Sequence, residues 1–459
     1  MPCLPNDVLL LVGNFLEDHQ DRYNLVFVCQ RFRDLFWPLL YQCASFKTCR
    51  QIQSFLRPAL KRPELARAVR TLHFDRWHDR YSISHIGITD EDRRSLSNLI
   101  QSLGLSGPEQ AQWEQDLQNG LSEAWISLVL PLAVNLRQLR LIYPKYSTYL
   151  DRTLNRAVNG EHTALKSLQE VSLSHLEDDS SDSKGNYLPS QILPFFHLPH
   201  MRSVKADTVM ESSLTQGVEG NIPNKPLPGV SCISEIHLTS SNGSRGMESL
   251  IASCSSLRTF KYQHSDLHLH SEGYRPSAFY SSLAGSKDTL ETLWLDSCGN
   301  HLPFTIAGAN ETHDEWFGSL ADFTVLKDMR IRLPNLLDVR YQPEPSIPLP
   351  DILPQSLESL YIEGCKENSL SMLLSQIQLV LTKRTPRFPA LKRVDIEGFF
   401  HEDEDYEDSG YETTANTEPR VIKPRVYEMV RPVHAACAQA GVYLYIRDRG
   451  CLESMENSA

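Results

Sequence analysis

The sequence is short of everything that marks a redox protein, a membrane protein or a nucleotide enzyme. Its ten cysteines contain no CxxC pair, so zinc-ribbon and thioredoxin-type readings have no support. Apolar runs such as Leu9–Val12 and Leu128–Val134 fall far below the roughly 20 residues of a membrane span, and no membrane partner is expected. Basic residues are in deficit, 45 Lys and Arg against 57 Asp and Glu for a net charge of −12. Phosphate contacts need a basic surface, so no nucleic-acid partner is expected. Neither GxGxxG nor GxxxxGK[ST] occurs, nor GxSxG, HExxH or DFG. The chain is therefore read as a non-enzyme, with no catalytic residue and no cofactor assigned. No basic segment precedes an apolar stretch at the N-terminus, where acidic Asp7 sits early. A secretory signal is not read, and the expectation is an intracellular protein of the cytoplasm and/or nucleus with reduced thiols. The nearest approach to a metal set is His264, His268 and His270 with Asp266. The H-x-H pair could share a strand face, but nothing completes the set, and these read as scattered surface histidines with no metal.

What is present begins with an apolar helical front. Pro5, Asn6 and Asp7 make a helix start, with Asn6 able to cap and Asp7 favoured by the helix dipole. Val8, Leu11, Val12, Phe15 and Leu16 follow at helical spacing, then a polar break over Glu17–Asp21. A second helical stretch carries Leu25, Val28, Cys29, Phe32, Leu35 and Phe36; Pro38 should end it, leaving Leu39, Leu40 and Tyr41 as a short third piece. Three short helices bury little surface by themselves and need a partner, either the following domain or another protein. Leu4-Pro5, Asp7-Val8-Leu9, Val12, Phe15-Leu16, Leu25, Val28-Cys29, Arg31-Phe32, Leu35 and Pro38-Leu39 agree in order and spacing with the F-box motif, without a gap. Residues 4 to about 43 thus resemble an F-box, the module that docks on the Skp adaptor of cullin-RING ubiquitin ligases. The resemblance implies an adaptor interface at or just above Leu4, Pro5, Val8, Leu9, Val12, Val28, Cys29 and Phe32. Phe32 departs from the tryptophan common there but keeps an aromatic ring.

Behind it runs an internal repeat. The pattern L-x-x-L-x-L, with other apolar residues allowed, recurs at Leu136, Leu168, Met201, Ile233, Leu257, Leu290, Leu326, Leu357 and Leu391. An earlier unit falls at Val69/Leu72/Phe74 and a degenerate last one at Leu444/Ile446. Each unit predicts one short strand with alternate apolar residues inward. Stretches of helical spacing, such as Met247–Ser255, Ser369–Lys383 and Arg425–Ala440, return the chain. One strand–helix unit cannot bury its own face, so neighbours must share a core. Cys298 and Cys365 lie three residues past the last apolar position of their units, the Asn/Cys site of leucine-rich repeats, which this section resembles. The expected fold is therefore an α/β (α+β) repeat: a three-helix F-box over 1–45, a linker helix over 46–66, and an irregular leucine-rich-repeat solenoid over 67–446 with a parallel sheet on its concave face. A long insertion over 75–130 should hold helices near Asp90–Leu103 and Glu109–Val129. The acidic stretch 401–420, which contains DSGYET, reads as a disordered loop, and 447–459 as a tail.

The central outward position of successive strands is Arg140, Ser172, Lys205, His237, Lys261, Trp294, Arg330, Tyr361 and Asp395, with Arg332, Asp296, Glu363 and Glu397 beside them. This column reads as locally basic with two aromatics. Arg140, Lys205, His237, Lys261, Trp294, Arg330 and Tyr361 are the expected target-binding residues, for an acidic or phosphorylated segment of a partner. The two resemblances together imply the substrate-recognition subunit of an SCF (Skp–cullin–F-box) ubiquitin ligase, reaching cullin through the adaptor. The alternative is a scaffold that binds the adaptor without directing ubiquitination.

Overall fold

The computed structural model describes residues 4–16, 18–75, 89–103, 105–142, 147–161, 164–174, 188–211, 229–264, 274–297, 314–339, 344–401, 421–448 and 451. The chain divides into two compact units, residues 1–208 with 231–233, and residues 209–230 with 234–459.

The first unit opens with α1 (Asn6–Phe15), α2 (His19–Val26) and α3 (Gln30–Leu40). Leu9, Val26, Phe36 and Leu39 form their shared core, lined by Leu10, Leu25, Phe32, Leu35, Trp37 and Leu40. Three details differ from the sequence reading. The stretch expected to run as one helix from Leu25 to Phe36 breaks at Phe27–Cys29. There Cys29 is extended and its Sγ accepts the Phe32 N–H at 3.5 Å, so it starts α3 as a cap. Pro38 does not end α3. It lies in the last turn, and the helix runs on to Leu40 because Leu39 is drawn into the core. Asn6 does not cap α1; its side-chain oxygen instead accepts from Arg31 Nη2 at 2.7 Å, and the same guanidinium bonds the Leu4 carbonyl at 2.5 Å.

Five parallel strands follow in this unit: β1 (Cys43–Phe46), β2 (Thr71–Phe74), β3 (Gln138–Ile142), β4 (Glu170–Ser174) and β5 (Ser203–Asp207), each paired with the next. In-register Leu72, Leu139, Val171 and Val204 turn inward and are at most 2% exposed. The residue just before each strand bonds its predecessor across the stack, Arg137 N–H to Arg70 O, Gln169 to Arg137 O and Arg202 to Gln169 O, each at 2.8 Å. β1 had no counterpart in the sequence reading, and the boundary drawn between 45 and 46 falls inside it. Its only inward groups are Ala44 and Phe46, and Phe46 stacks on Phe74 at 5.6 Å. The linker helix is α4 (Cys49–Lys61), capped by Thr48, followed by α5 (Pro63–Ala68).

The insertion holds α6 (Asp90–Ser102), α7 (Gly107–Gln118) and α8 (Ser122–Val129). The single helix expected over Glu109–Val129 is broken by Gly120, whose φ of +74° suits glycine. The next helices are α9 (Tyr149–Val158) and α10 (Pro189–Phe196). Glu123, although inside α8 and 6% exposed, has one oxygen accepting the backbone N–H of Tyr149 at 2.6 Å and of Leu150 at 3.0 Å. A buried carboxylate thus satisfies the orphan donors at the start of α9.

The second unit carries seven parallel strands: β6 (Glu235–Ser241), β7 (Thr259–His264), β8 (Thr292–Ser297), β9 (Asp328–Arg332), β10 (Ser359–Cys365), β11 (Arg393–Gly398) and β12 (Tyr443–Asp448). Ile236, Phe260, Leu293, Met329, Leu360, Val394 and Leu444 align in register as the inward row. The connections include α11 (Glu248–Ser253), α12 (Pro276–Leu283), α13 (Leu333–Leu336), α14 (Leu349–Ile352), α15 (Glu367–Thr382), α16 (Arg384–Arg387) and α17 (Pro424–Gln439). The three helical returns expected at Met247–Ser255, Ser369–Lys383 and Arg425–Ala440 are α11, α15 and α17. Cys365 is fully buried at the end of β10; Cys298, the acidic residues 402–420 and the tail 452–459 lie outside the described residues.

Candidate functional site

Two surfaces present side chains of the kinds that protein interfaces use. The first is on α1. Val8, Leu11, Val12 and Phe15 recur at helical spacing on one face, with Leu4 a turn ahead. Their exposures are 41%, 58%, 49% and 78%, and 56% for Leu4. Phe27 and Val28, in the turn between α2 and α3, add 67% and 63%. Seven large apolar groups exposed within the 25 residues from Leu4 to Val28 are a concentration of the kind that marks an interface. Of the residues expected there, Leu4, Pro5, Val8, Val12, Val28 and Cys29 are exposed, Phe32 is half-buried against the trio core, and Leu9 is buried within it. Leu11, Phe15 and Phe27 are exposed as well and stand outside the expected interface residues, although Leu11 and Phe15 follow Val8 at helical spacing. Gly13 explains why α1 lies close on α3: a Cβ there would stand 2.6 Å from the Phe36 ring and 2.8 Å from Leu39.

The second surface is the outward face of the strands. In the first unit, register places His73, Arg140, Ser172 and Lys205 side by side, with Arg140 and Lys205 exposed. In the second unit His237, Lys261, Trp294, Arg330, Tyr361, Asp395 and Tyr445 follow one another directly. Here cations sit on rings: Lys261 Nζ is 3.4 Å from the Trp294 ring centre, the Arg330 guanidinium 4.5 Å from that of Tyr361, and Arg393 5.0 Å from that of Tyr445. Trp294 Nε1 donates to Asp328 at 2.6 Å.

The basic column expected here does not extend through the second unit. Arg330 pairs with Glu363, with Asp296 at 3.1 Å and with Glu397 at 3.8 Å. The Tyr361 hydroxyl donates to Glu397 at 2.5 Å. Asp395 accepts from Arg393 at 2.6 Å and Arg447 at 2.7 Å. Glu363, Asp395 and Glu397, expected at or beside the outward positions, are 1%, 1% and 4% exposed. The reason is geometric. The acids stand two residues along from, or one strand beside, the cations, so long arginine and tyrosine side chains fold over them. Burial, with Asp296 alongside, pushes the Glu363 carboxyl well above the usual carboxylate range. Burial opposes the charge of Arg330, but Glu363 and Asp296 hold it protonated beyond its ordinary range.

His264 is likewise not a surface group. It continues the inward parity of Phe260 and Tyr262, is 4% exposed, stacks on Tyr274 at 5.0 Å and shares a 3.2 Å hydrogen bond with the Tyr262 hydroxyl. His268, His270 and Asp266 lie outside the described residues. Among the described residues no three His, Cys, Asp or Glu side chains are placed to hold a metal, and no helix is long and apolar enough to cross a membrane.

Stacked parallel strand–helix units, each sharing its core with the next, define a class of repeat protein. The chain belongs to the leucine-rich repeat domain family, whose model matches residues 46–422. No curated protein shows significant similarity to it. Protein–protein interaction is the role that the repeat family implies for most of this chain.

Proposed function

We propose that the chain is the substrate-recognition subunit of an SCF-type ubiquitin ligase. α1–α3 dock on the Skp adaptor and, through it, on cullin, while the repeats hold a target protein. The single observation that carries the reading is the stripe Leu4, Val8, Leu11, Val12 and Phe15. It runs along α1 and the residue before its start, on a helix that packs Leu9, Leu10 and Gly13 into its own core, and within a segment that resembles the F-box. Leu4, Pro5, Val8, Val12, Val28 and Cys29 face the adaptor, and Leu9 and Phe32 support them from beneath. Arg31 contributes by tying the Leu4 carbonyl and Asn6 to α3, which fixes the leading residues of the stripe. No residue of the chain enters the chemistry. The target is held near a conjugating enzyme supplied by the rest of the complex, which raises the effective concentration of its lysines. The protein acts in the cytoplasm or nucleus, where that machinery resides.

The alternative is a scaffold that binds the adaptor without delivering ubiquitin. Affinity capture followed by mass spectrometry separates the readings, comparing the wild-type chain with a Leu4→Ser/Pro5→Ala double variant. Cullin and adaptor captured together, and lost together in the variant, support the ligase. Adaptor without cullin supports the scaffold. Neither protein captured by the wild type removes both.

A further inference from the structure

On the outward face of the second unit one row runs across the strands in register: Lys261, Trp294, Arg330, Tyr361, Asp395 and Tyr445, on β7 to β12. Each lies between residues of inward parity, as Trp294 does between Leu293 and Leu295 and Tyr361 between Leu360 and Ile362, so all six share one face. The rings fall on alternate strands, Trp294 on β8, Tyr361 on β10 and Tyr445 on β12. Trp294 and Tyr361 are half-buried and Tyr445 is 43% exposed, so each keeps part of its surface open to water. Hydrogen bonds to Asp328 and Glu397 hold the first two in place, and a cation lies over each of the three. The charges between the rings are met within the protein: Arg330 by Asp296 and Glu363, and the buried Asp395 by Arg393 and Arg447. Lys261, at the end of the row, differs. Its Nζ rests on the Trp294 ring, and no carboxylate pairs with it among the described residues.

We propose that this row docks a polyproline II segment of the target protein, laid across the strands with a proline against each ring and an acidic residue at the Lys261 end. Strands lie about 4.8 Å apart, so positions on alternate strands stand about 9.6 Å apart. A polyproline II helix has three residues per turn and rises about 3.1 Å per residue, so prolines at every third position return to one side at about 9.3 Å. Two turns therefore carry three prolines past the three rings. Such a segment is extended before it binds, needs no charge along its length, and is recognised by aromatic side chains. It suits a face whose charges between the rings are already paired. A nucleic-acid strand does not, because its phosphates need cations that carboxylates have not already taken. Lys261 lies one strand beyond Trp294, about 4.8 Å. That is one or two residues along the segment from the leading proline, where a glutamate would meet the lysine. The inference rests on the target-binding half of the proposed function, which it narrows to one class of segment.

The test is fluorescence anisotropy on the full chain with a labelled peptide carrying a leading glutamate and then proline at every third position. It is expected to bind about tenfold tighter than a peptide of the same composition with proline at every fourth position. Tyr445→Ala is expected to weaken binding about tenfold and Tyr445→Phe to keep it. Tyr427→Ala, at an exposed tyrosine of α17, is expected to leave it unchanged. The wild type should prefer the glutamate-led peptide over a glutamine-led one by about threefold, and Lys261→Gln should bind the two equally. The proposal is overturned by absent binding, by equal binding of the two proline spacings, by full affinity in Tyr445→Ala, by an equal loss in Tyr427→Ala, or by tighter binding of a single-stranded oligonucleotide. Adaptor capture on the same preparations reports on α1–α3 alone, so a failure of that half shows separately.

Discussion

Replacing Val12 with aspartate should remove adaptor binding and leave the fold untouched. Val12 is 49% exposed and sits in the middle of the α1 stripe, between Val8 and Phe15. Full burial of a valine side chain contributes roughly 1.5–3 kcal/mol, so covering its exposed half in a complex contributes about 1 kcal/mol. Aspartate forfeits that term and brings a carboxylate into an apolar contact without a cation. Such a desolvation costs about 2 kcal/mol or more even with partial relief. The sum is a loss of roughly 3 kcal/mol, more than a hundredfold in affinity. The folded chain meets neither cost, because the site is open to water, and aspartate and valine have similar helix propensities. Melting should therefore shift by no more than the equivalent of about 0.5 kcal/mol. Titration calorimetry with the purified adaptor, beside a thermal melt, measures both. An affinity within threefold of wild type, or a large drop in melting temperature, would refute the assignment of this stripe to an interface.

Other consequences are separable. Leu293→Ala removes a fully buried side chain from the inward row between Phe260 and Met329; a loss of about 2–5 kcal/mol in urea unfolding is expected, and a loss below about 1 kcal/mol would contradict a shared inter-repeat core. Gly13→Ala would ordinarily stabilise a helix by about 1 kcal/mol. Here the new Cβ meets the buried Phe36 ring at 2.6 Å, so the melting temperature should fall instead, by the equivalent of about 1–3 kcal/mol; a rise would show that α1 and α3 are not in close contact. Glu363 has a folded-state pKa raised by burial and by Asp296, so its contribution is fully present below its unfolded pKa and is lost as pH climbs through the folded value. Glu363→Gln should therefore gain stability over wild type progressively from about pH 4.5 upward. Parallel stability curves from pH 4 to 8 would deny that the carboxyl is buried.

Much of the architecture was legible because the repeat writes the same physical demand in every unit. Leu139, Val171 and Val204 are apolar at one spacing because each fills the same layer of one core, and register follows from that. β1 escaped because Cys43–Phe46 is short and carries only Ala44 and Phe46 inward. Cys29 and Pro38 misled because a thiol cap and a proline in a last turn are decided by tertiary packing, not by local preference. The charge of the outward face was the least legible feature. A reading of one residue per strand finds Arg330 but not the acids that surround it. Asp296 and Glu363 lie two positions further along neighbouring strands, and only the lateral register brings them within reach. Arg140 and Lys205 have no ion-pair partner among the described residues: the residue level with them on β4 is Ser172, and the acid of that strand, Glu170, lies level with Gln138 and Ser203 and accepts from Gln138.

The account turns on the front three helices meeting the Skp adaptor while the repeats remain free for a target. Size-exclusion chromatography of the purified chain mixed with purified adaptor measures this most directly. One co-eluting species at equal stoichiometry is predicted, restored to two separate peaks by Val12→Asp. Separate elution of the wild-type chain and the adaptor would contradict it.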